Sequence, residues 1–489
     1  METTIFDRLS KHAWSDRAEC SAHRIGRTPG VDAAPDARER LALLAAFALL
    51  IVLRLPHAWL QGRFLGEEGT IFFAYAWHRP AAAALFRSFA GYLNLGANAA
   101  TLADARLVQA GFLPLELAPY LTMTIALLVQ LLPGVLIVTG RADWLIRRWA
   151  IRVSLLILAI SPMTEEVFVN ALHIQFHLAL CAALILALDV PRSRSVRIGY
   201  GLLLFLAPLC GPSAIVLAPF YVLRCLVDRD RVRALQTVAL VTGAAVQLLL
   251  FFTASPVRGH LLDAATLAAV LSTRLVVMPF FGPPLANVLG TAIYTSYSAA
   301  GVGWWIAVVA AIAYFGVLIR LALRRGHRGA IWLVLPGLGL AVVSFGGGMI
   351  VANPRELFSV GSGERYNFLP LMLLSLGLVA LADEYRGRVR RFCLVLCLMT
   401  LVWGAIVYPT PIRGLSQGPA WADEVAAWRR DHDHPLATWT KEWTVDLSDH
   451  DRPCSPRRTQ PFAVEPSDPS YCENAWLARV TPRQVRPGP

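Results

Sequence analysis

The chain has 489 residues, 56% of them hydrophobic and only 16% charged, with a net charge of +12 and a mean hydropathy of +0.52. A soluble domain carries about a quarter charged residues, so this composition excludes an ordinary soluble protein. Nucleic acid is excluded as a partner because the basic residues sit in short clusters between apolar blocks instead of on one domain.

The apolar blocks are roughly twenty residues long, enough to cross about 30 Å of hydrocarbon. The fold class expected is therefore an all-α polytopic membrane protein. Residues 1–40 are mixed in charge and lack the apolar core of a signal peptide, and read as a cytoplasmic segment before an uncleaved first helix. Arg38/Arg40 precede the first span, and further clusters gather around Arg141–Arg152, Arg192–Arg197, Arg224–Arg233, Arg320–Arg328 and Arg386–Arg391. Placing all of them in the cytoplasm obeys the positive-inside rule and predicts about eleven spans within 41–409.

In chain order the expected spans are 41–60, 118–140, 152–161, 168–189, 198–208, 213–227, 234–253, 303–320, 330–351, 367–382 and 392–408. Long external loops then cover 61–117 and 255–302, and 410–489 forms an external domain. The apolar stretch 264–281 carries Arg274 and ends in Gly282-Pro283-Pro284, which suggests an interfacial or re-entrant helix instead of another span. The blocks 152–161 and 198–208 are short: about 1.5 Å per residue leaves them well under the hydrocarbon thickness. Irregular backbone at membrane depth requires cover from protein or a water-filled cavity, so both turns are expected to line a cavity opening outward. Spanning with tilt is the alternative.

Five cysteines, Cys181, Cys210, Cys225, Cys393 and Cys397, lie in apolar blocks and behave as small hydrophobes. Cys454 and Cys472 instead flank a polar, proline-rich stretch. As a disulfide they would need an oxidising compartment and would stabilise the tail by roughly 3 kcal/mol. An external tail agrees with that; two free thiols is the other reading. No Cys/His zinc spacing occurs.

Charges beside membrane spans are functional candidates because they are expensive to keep there. Glu67 and Glu68 follow the first span, where burial and a like-charged neighbour can make one carboxylate a general base; acids at a helix start are the plain alternative. Glu165 and Glu166 stand at the next outer turn. Glu166, Asn170, His173 and His177 recur at helical spacing and are expected to share one helix face. That stripe suits a substrate lining, interhelical hydrogen bonds, or a divalent metal, although no zinc-protease motif is present. Arg355, Arg365 and Tyr366 lie in the external segment before the tenth span, and with Arg274 suit a phosphate through the planar guanidinium fork; snorkelling and surface pairing are the alternatives. Trp421, Trp428, Trp439 and Trp443 fit a small core or a sugar-stacking face.

Taken together, the acids after the first span, the acids at the next outer turn, the late external arginines and the external tail resemble the GT-C class of membrane glycosyltransferases. The likeness covers most of the chain but lies in layout, and Glu67-Glu68 stands where that class usually has an aspartate. Stretches such as 91–95 and 363–366 also look like those of bacterial membrane proteins of similar length. The resemblance implies transfer of a sugar from a polyprenyl-phosphate donor to a glycan, lipid or protein acceptor at the outer face of a bacterial inner membrane. It assigns catalysis to Glu67, Glu68 and Glu166, and substrate binding to Glu165, Asn170, His173, His177, Arg274, Arg355, Arg365 and Tyr366, with no cofactor assigned and a divalent metal left open. A transporter or lipid flippase, or a polysaccharide polymerase or ligase, are the rival readings.

Overall fold

The computed structural model of the protein describes residues 35–254, 262–324, 328–349, 353–410, 415–440 and 443–448. Cys454 and Cys472, with the disulfide expected of them, lie outside the described residues.

Helix α1 (Ala37–Arg54) starts where Asp36 accepts a hydrogen bond from the Glu39 amide at 2.8 Å, the usual N-cap arrangement. It stops before Pro56, which opens the short α2 (Pro56–Gln61). The first loop folds into a π-helical turn (Glu68–Phe73), α3 (Ala74–His78), α4 (Ala81–Leu85), the hairpin β1–β2 (Ser88–Phe89, Tyr92–Leu93) and α5 (Leu95–Gln109). Then come α6 (Ala118–Thr139), α7 (Arg148–Ile160), α8 (Ile174–Ala187), α9 (Arg194–Cys210), α10 (Ala218–Asp228) and α11 (Arg231–Ala254). The second half comprises α12 (Ala264–Ser272), α13 (Met278–Phe281), α14 (Pro283–Ser298), α15 (Trp305–Leu323), α16 (Arg328–Val343), α17 (Arg355–Phe358), α18 (Glu364–Glu384) and α19 (Gly387–Val407). A small unit of α20 (Trp421–Arg430) and the hairpin β3–β4 (Leu436–Ala437, Thr444–Val445) follows.

Among the described residues, seven helices are long and apolar enough to cross a membrane. Helix α8 is apolar apart from Gln175 and His177 near its start and is buried along its whole length, which is how a central helix reads. Helix α19 instead exposes Phe392, Val395, Leu398, Val402 and Ile406 in one stripe. Apolar residues on the outside of a multi-pass membrane protein meet lipid, so that stripe is a lipid face.

Six of the predicted spans are among these seven helices; the seventh is Ala264–Phe281, continuous through a π turn at Thr273–Val277. An interfacial or re-entrant course is expected for it; by length and apolarity it could also cross, and contacts place its two ends. Leu262 donates to Gly346 near the end of the α16 segment at 2.9 Å. At the other end, Gly282 lies so close to the Trp403 ring that a Cβ would come within 2.6 Å, and its φ of +93° also favours glycine. Gly346 and Trp403 lie at the ends of their helices away from the arginine clusters, so this apolar helix begins and finishes on one side of the bundle. Of the two blocks expected to be short, 152–161 lies in α7, a helix of only 13 residues, whereas 198–208 lies in the longer α9 of 17 residues.

The arginine clusters converge on one end. Arg147 pairs with Asp383 at 3.3 Å, and Arg148 and Arg152 pair with Glu39 at 3.4 and 2.8 Å. Arg390 stacks over Trp149, and Asp189 donates its amide to the Arg141 carbonyl. At the opposite end the first loop is roofed by the α20 unit. Trp439 and the 64–66 backbone exchange hydrogen bonds of 3.1 Å, Trp439 N to Phe64 O and Gly66 N to Trp439 O. Phe64, Phe73, Trp421, Val425, Leu436 and Val445 form a second core there, and the Trp421 indole donates to Leu115 O at 2.8 Å. Trp421 and Trp439 are therefore packing residues. Trp439→Ala should lower stability by about 3–5 kcal/mol and expose the α20 unit to protease. A protease pattern like that of wild type would show that this docking contributes little.

Candidate functional site

The site assembles from three segments at the end away from the arginine clusters: the start of the first loop, the turn between α7 and α8, and the N-terminus of α18. The middle segment is irregular. Glu165–Val167 form a 3-10 turn, Val169 adopts a φ of +55°, and α8 begins only at Ile174. The helical stripe expected from the spacing of Glu166, Asn170, His173 and His177 is thus replaced by a turn with a different logic. Asn170 Nδ2 donates to Glu166 O and Phe168 O, both at 3.0 Å, while its Oδ1 accepts from His173 N at 2.9 Å. An asparagine side chain that satisfies nearby backbone competes with the helix. His173 Nδ1 lies 2.8 Å from Glu166 O, and His177 Nε2 lies 3.1 Å from Val167 O. Both histidines therefore brace the turn.

A left-handed β-branched residue is costly and persists only where its surroundings fix it. Val169 is fixed from both sides: its amide donates to Gln130 Oε1 at 3.2 Å and its carbonyl accepts from Arg63 at 3.0 Å. Gln130 also donates to Val167 O at 3.3 Å. Arg54, at the end of α1, is buried. It donates to Ala159 O at 2.6 Å, Ser161 O at 2.9 Å and Thr164 Oγ1 at 3.1 Å.

The two glutamate pairs split into different roles. Glu68 is fully buried, with Oε1 accepting from Ala171 N at 2.6 Å and Oε2 from Leu65 N at 3.1 Å. It ties the first loop to the α7–α8 turn. Burial raises its pKa, and those two amides, the Arg63 charge and the Thr122 hydroxyl offset only part of that rise, so the net direction is upward. The Glu165 amide donates to Glu364 Oε2 at 3.1 Å. Glu165 and Glu364 both lie near the Arg54 charge.

Glu166 faces the other way. Its carboxylate accepts from Arg365 twice, from Nη1 at 2.8 Å and from the backbone amide at 3.1 Å, with His173 Nε2 at 4.0 Å. Burial alone would raise the Glu166 pKa, but Arg365 and His173 overcome it and hold the carboxyl below its usual value. Gly363 starts α18 at a φ of +63°, where a Cβ would meet Met349 at 2.7 Å; this turn aims the Glu364 and Arg365 side chains at the α7–α8 segment. The ion pair keeps some access to solvent, with Arg365 26% and Glu166 15% exposed at the side chain. Tyr366 lies under the Arg365 guanidinium at 5.4 Å, and Tyr92 is within reach of the same charge.

Glu67 completes the cluster. It is half-buried, and no hydrogen bond to its carboxylate from another residue is found among the described residues. Burial raises its pKa; the nearby Arg365 charge lowers it and Glu166 raises it further, so the net direction is upward. Glu67, Glu166, His173, Arg365 and Tyr366 are thus brought together.

Arg274 is not part of that cluster. Its guanidinium donates to Leu357 O at 2.6 Å, Ser362 O at 3.0 Å, Glu356 O at 2.8 Å and Asn367 Oδ1 at 3.3 Å. A phosphate would have to displace those bonds, so Arg274 organises the 356–362 loop in place of the phosphate role expected for it. Arg355 lies on another face of that loop, among Asn287, Thr291 and Glu356. No group of three or more His, Cys, Asp or Glu side chains able to hold a metal occurs among the described residues.

Asp104, on α5, is fully buried with neither carboxylate oxygen hydrogen-bonded among the described residues. Burial, and then the Glu68 charge, push its pKa well above the ordinary value. A raised carboxyl favours folding while protonated, and this contribution is lost as pH rises through the folded value. Asp104→Asn should therefore match wild type below about pH 3.9 and gain about 1–3 kcal/mol near neutrality. Thermal unfolding from pH 4 to 8 measures this; a gap independent of pH would show a charged, paired Asp104.

Arg54, Arg63, Gln130 and Glu364 are the supporting residues that spacing alone did not assign. Their common signal is a polar side chain in or beside an apolar span. Comparison with protein-family models, with curated proteins and with solved structures finds no match to this chain.

Proposed function

We propose that the protein is a membrane glycosyltransferase that moves a sugar from a polyprenyl-phosphate donor to an acceptor hydroxyl at the outer face of the membrane. The observation that carries this reading is the half-buried Glu67 carboxylate beside the Glu166–Arg365 ion pair. Positive-inside placement of the arginine-rich end puts that pair at the external face of a bacterial inner membrane, with the N-terminus cytoplasmic and the α20 unit external. The eleven-span count remains part of the proposal, with the short helices α7 and α10 crossing beside longer neighbours.

In this reading Glu67 takes the acceptor proton as the acceptor oxygen bonds to the sugar C1. The bond from C1 to the phosphate oxygen breaks, and the leaving phosphate keeps the electron pair. Arg365, aimed by Glu166 and Gly363, meets the charge that develops there, where a preorganised donor has its largest effect. Tyr366 and Tyr92 flank the same guanidinium and bound the sugar position. An apolar groove of about 460 Å³ between α5, α6, α8 and α9, lined by Leu95, Ile125, Ile174 and Leu203, supports the reading because it starts one residue from His173 and suits a hydrocarbon tail.

The test is sugar release from a radiolabelled polyprenyl-phosphate donor by the full chain in proteoliposomes, with a panel of glycan, lipid and protein acceptors. Transfer that depends on Glu67 and Arg365 supports the proposal. Movement of intact labelled lipid between leaflets without release of sugar would assign the chain to a flippase instead.

A further inference from the structure

The 353–359 segment bounds a cavity of about 430 Å³ against α14. Asn287, Thr291, Asn353, Arg355, Glu356 and Ser359 line it, and none of them belongs to the Glu67–Arg365 cluster. We infer that this cavity binds the headgroup of a phospholipid bearing a phosphodiester and a primary ammonium, as phosphatidylethanolamine does.

The donors are fixed by what their partners already occupy. Asn287 Oδ1 accepts from Val360 N at 3.1 Å, and Asn353 Oδ1 accepts from Arg355 N at 2.9 Å. Among the described residues, the amide NH2 groups of both asparagines remain as donors, together with the Thr291 hydroxyl. The Arg355 guanidinium is exposed and makes no hydrogen bond or ion pair among the described residues. A planar guanidinium flanked by amide donors matches the oxygens of a phosphate.

The adjacent residue supplies the opposite charge. Glu356 accepts from Ser362 Oγ at 3.4 Å through Oε2, while Oε1 takes no hydrogen bond among the described residues. One cation and one carboxylate on the same cavity wall fit a zwitterion. A headgroup with phosphate alone would meet the carboxylate as a like charge. A quaternary ammonium has no N–H to donate to it.

The surroundings select a lipid over the free headgroup. Helix α14 presents Asn287 and Thr291 along one stripe, and Leu285, Val288 and Leu289 on an adjacent stripe, exposed by 42, 66 and 37%. Polar and apolar stripes therefore meet at the cavity mouth, where a phosphate enters the polar loop and acyl chains run down the exposed apolar side.

The experiment uses the full chain in nanodiscs made from equal parts of phosphatidylethanolamine, phosphatidylglycerol and phosphatidylcholine, followed by native mass spectrometry of the lipid retained. Phosphatidylethanolamine should be enriched about ten-fold over the other two, the effect of one well-made ionic hydrogen bond. Arg355→Gln should reduce that retention by about ten-fold. Glu356→Gln should keep the phospholipid but erase the preference for ethanolamine over choline. Retention in proportion to supply, or unchanged retention in Arg355→Gln, overturns the inference. So does full displacement of the lipid by equimolar soluble glycerophosphoethanolamine, which would show that the headgroup alone is the ligand. None of these readouts depends on sugar transfer, so their failure and the failure of the proposed enzyme activity are separable.

Discussion

Glu67→Gln should slow sugar transfer by about 10²–10⁴-fold, the usual weight of a general base, and leave thermal stability close to that of wild type. The residue is half-buried and its carboxylate holds no neighbouring amide among the described residues, so the amide isostere removes basicity without removing a structural bond. Its neighbour behaves oppositely. Glu68→Ala strips Ala171 N and Leu65 N of their acceptor, and hydrogen bonds to a charged group are worth about 1.5–3 kcal/mol each. That variant should lose stability and with it activity. The pH profile separates the two roles further. Glu67 must be deprotonated to accept a proton, and its pKa is raised by burial and by Glu166 against the pull of Arg365. The acid limb of the rate should therefore lie above the ordinary glutamate value of about 4.3. Full activity in Glu67→Gln would falsify the assignment of the base.

Arg365→Gln should reduce the rate by about 10²–10³-fold, the scale seen when one preorganised donor to a developing negative charge is removed. Glu166→Gln leaves Arg365 without its ionic partner at 2.8 Å. Breaking a largely buried pair from one side costs about 3–5 kcal/mol because the remaining charge is uncompensated. Both variants should lose activity, but only Glu166→Gln leaves an arginine without its counter-charge. The double variant Glu166→Gln/Arg365→Gln should recover much of the stability and none of the activity. Thermal unfolding and transfer rate measured on the four chains form a double-mutant cycle. A double variant as slow and as unstable as the sum of the singles would show no coupling, and the pair would then have no role in orienting the guanidinium.

The membrane class was legible from composition and apolar block length, because a bilayer tolerates only such segments. The arginine clusters named one end of the bundle, and the acids and late arginines marked the other, since charge near a span is kept there at a cost. Arg274 and Gly282-Pro283-Pro284 set 264–281 apart from the other apolar blocks, although its length and apolarity match a span. What it left open was which carboxylate of each glutamate pair faces the site. Adjacent residues differ only in the direction of one side chain, and that direction depends on partners about a hundred or more positions away, Ala171 for Glu68 and Arg365 for Glu166. Periodicity also failed at Glu166–His177, where helical spacing was present without a helix. Asn170, Val169 and the distant Gln130 and Arg63 satisfy that backbone in another way. Arg274 and Arg355 look alike as sequence. Only the tertiary structure surrounds the first with carbonyls and leaves the second without a partner among the described residues, because a hydrogen bond is decided by what the fold brings within about 3 Å.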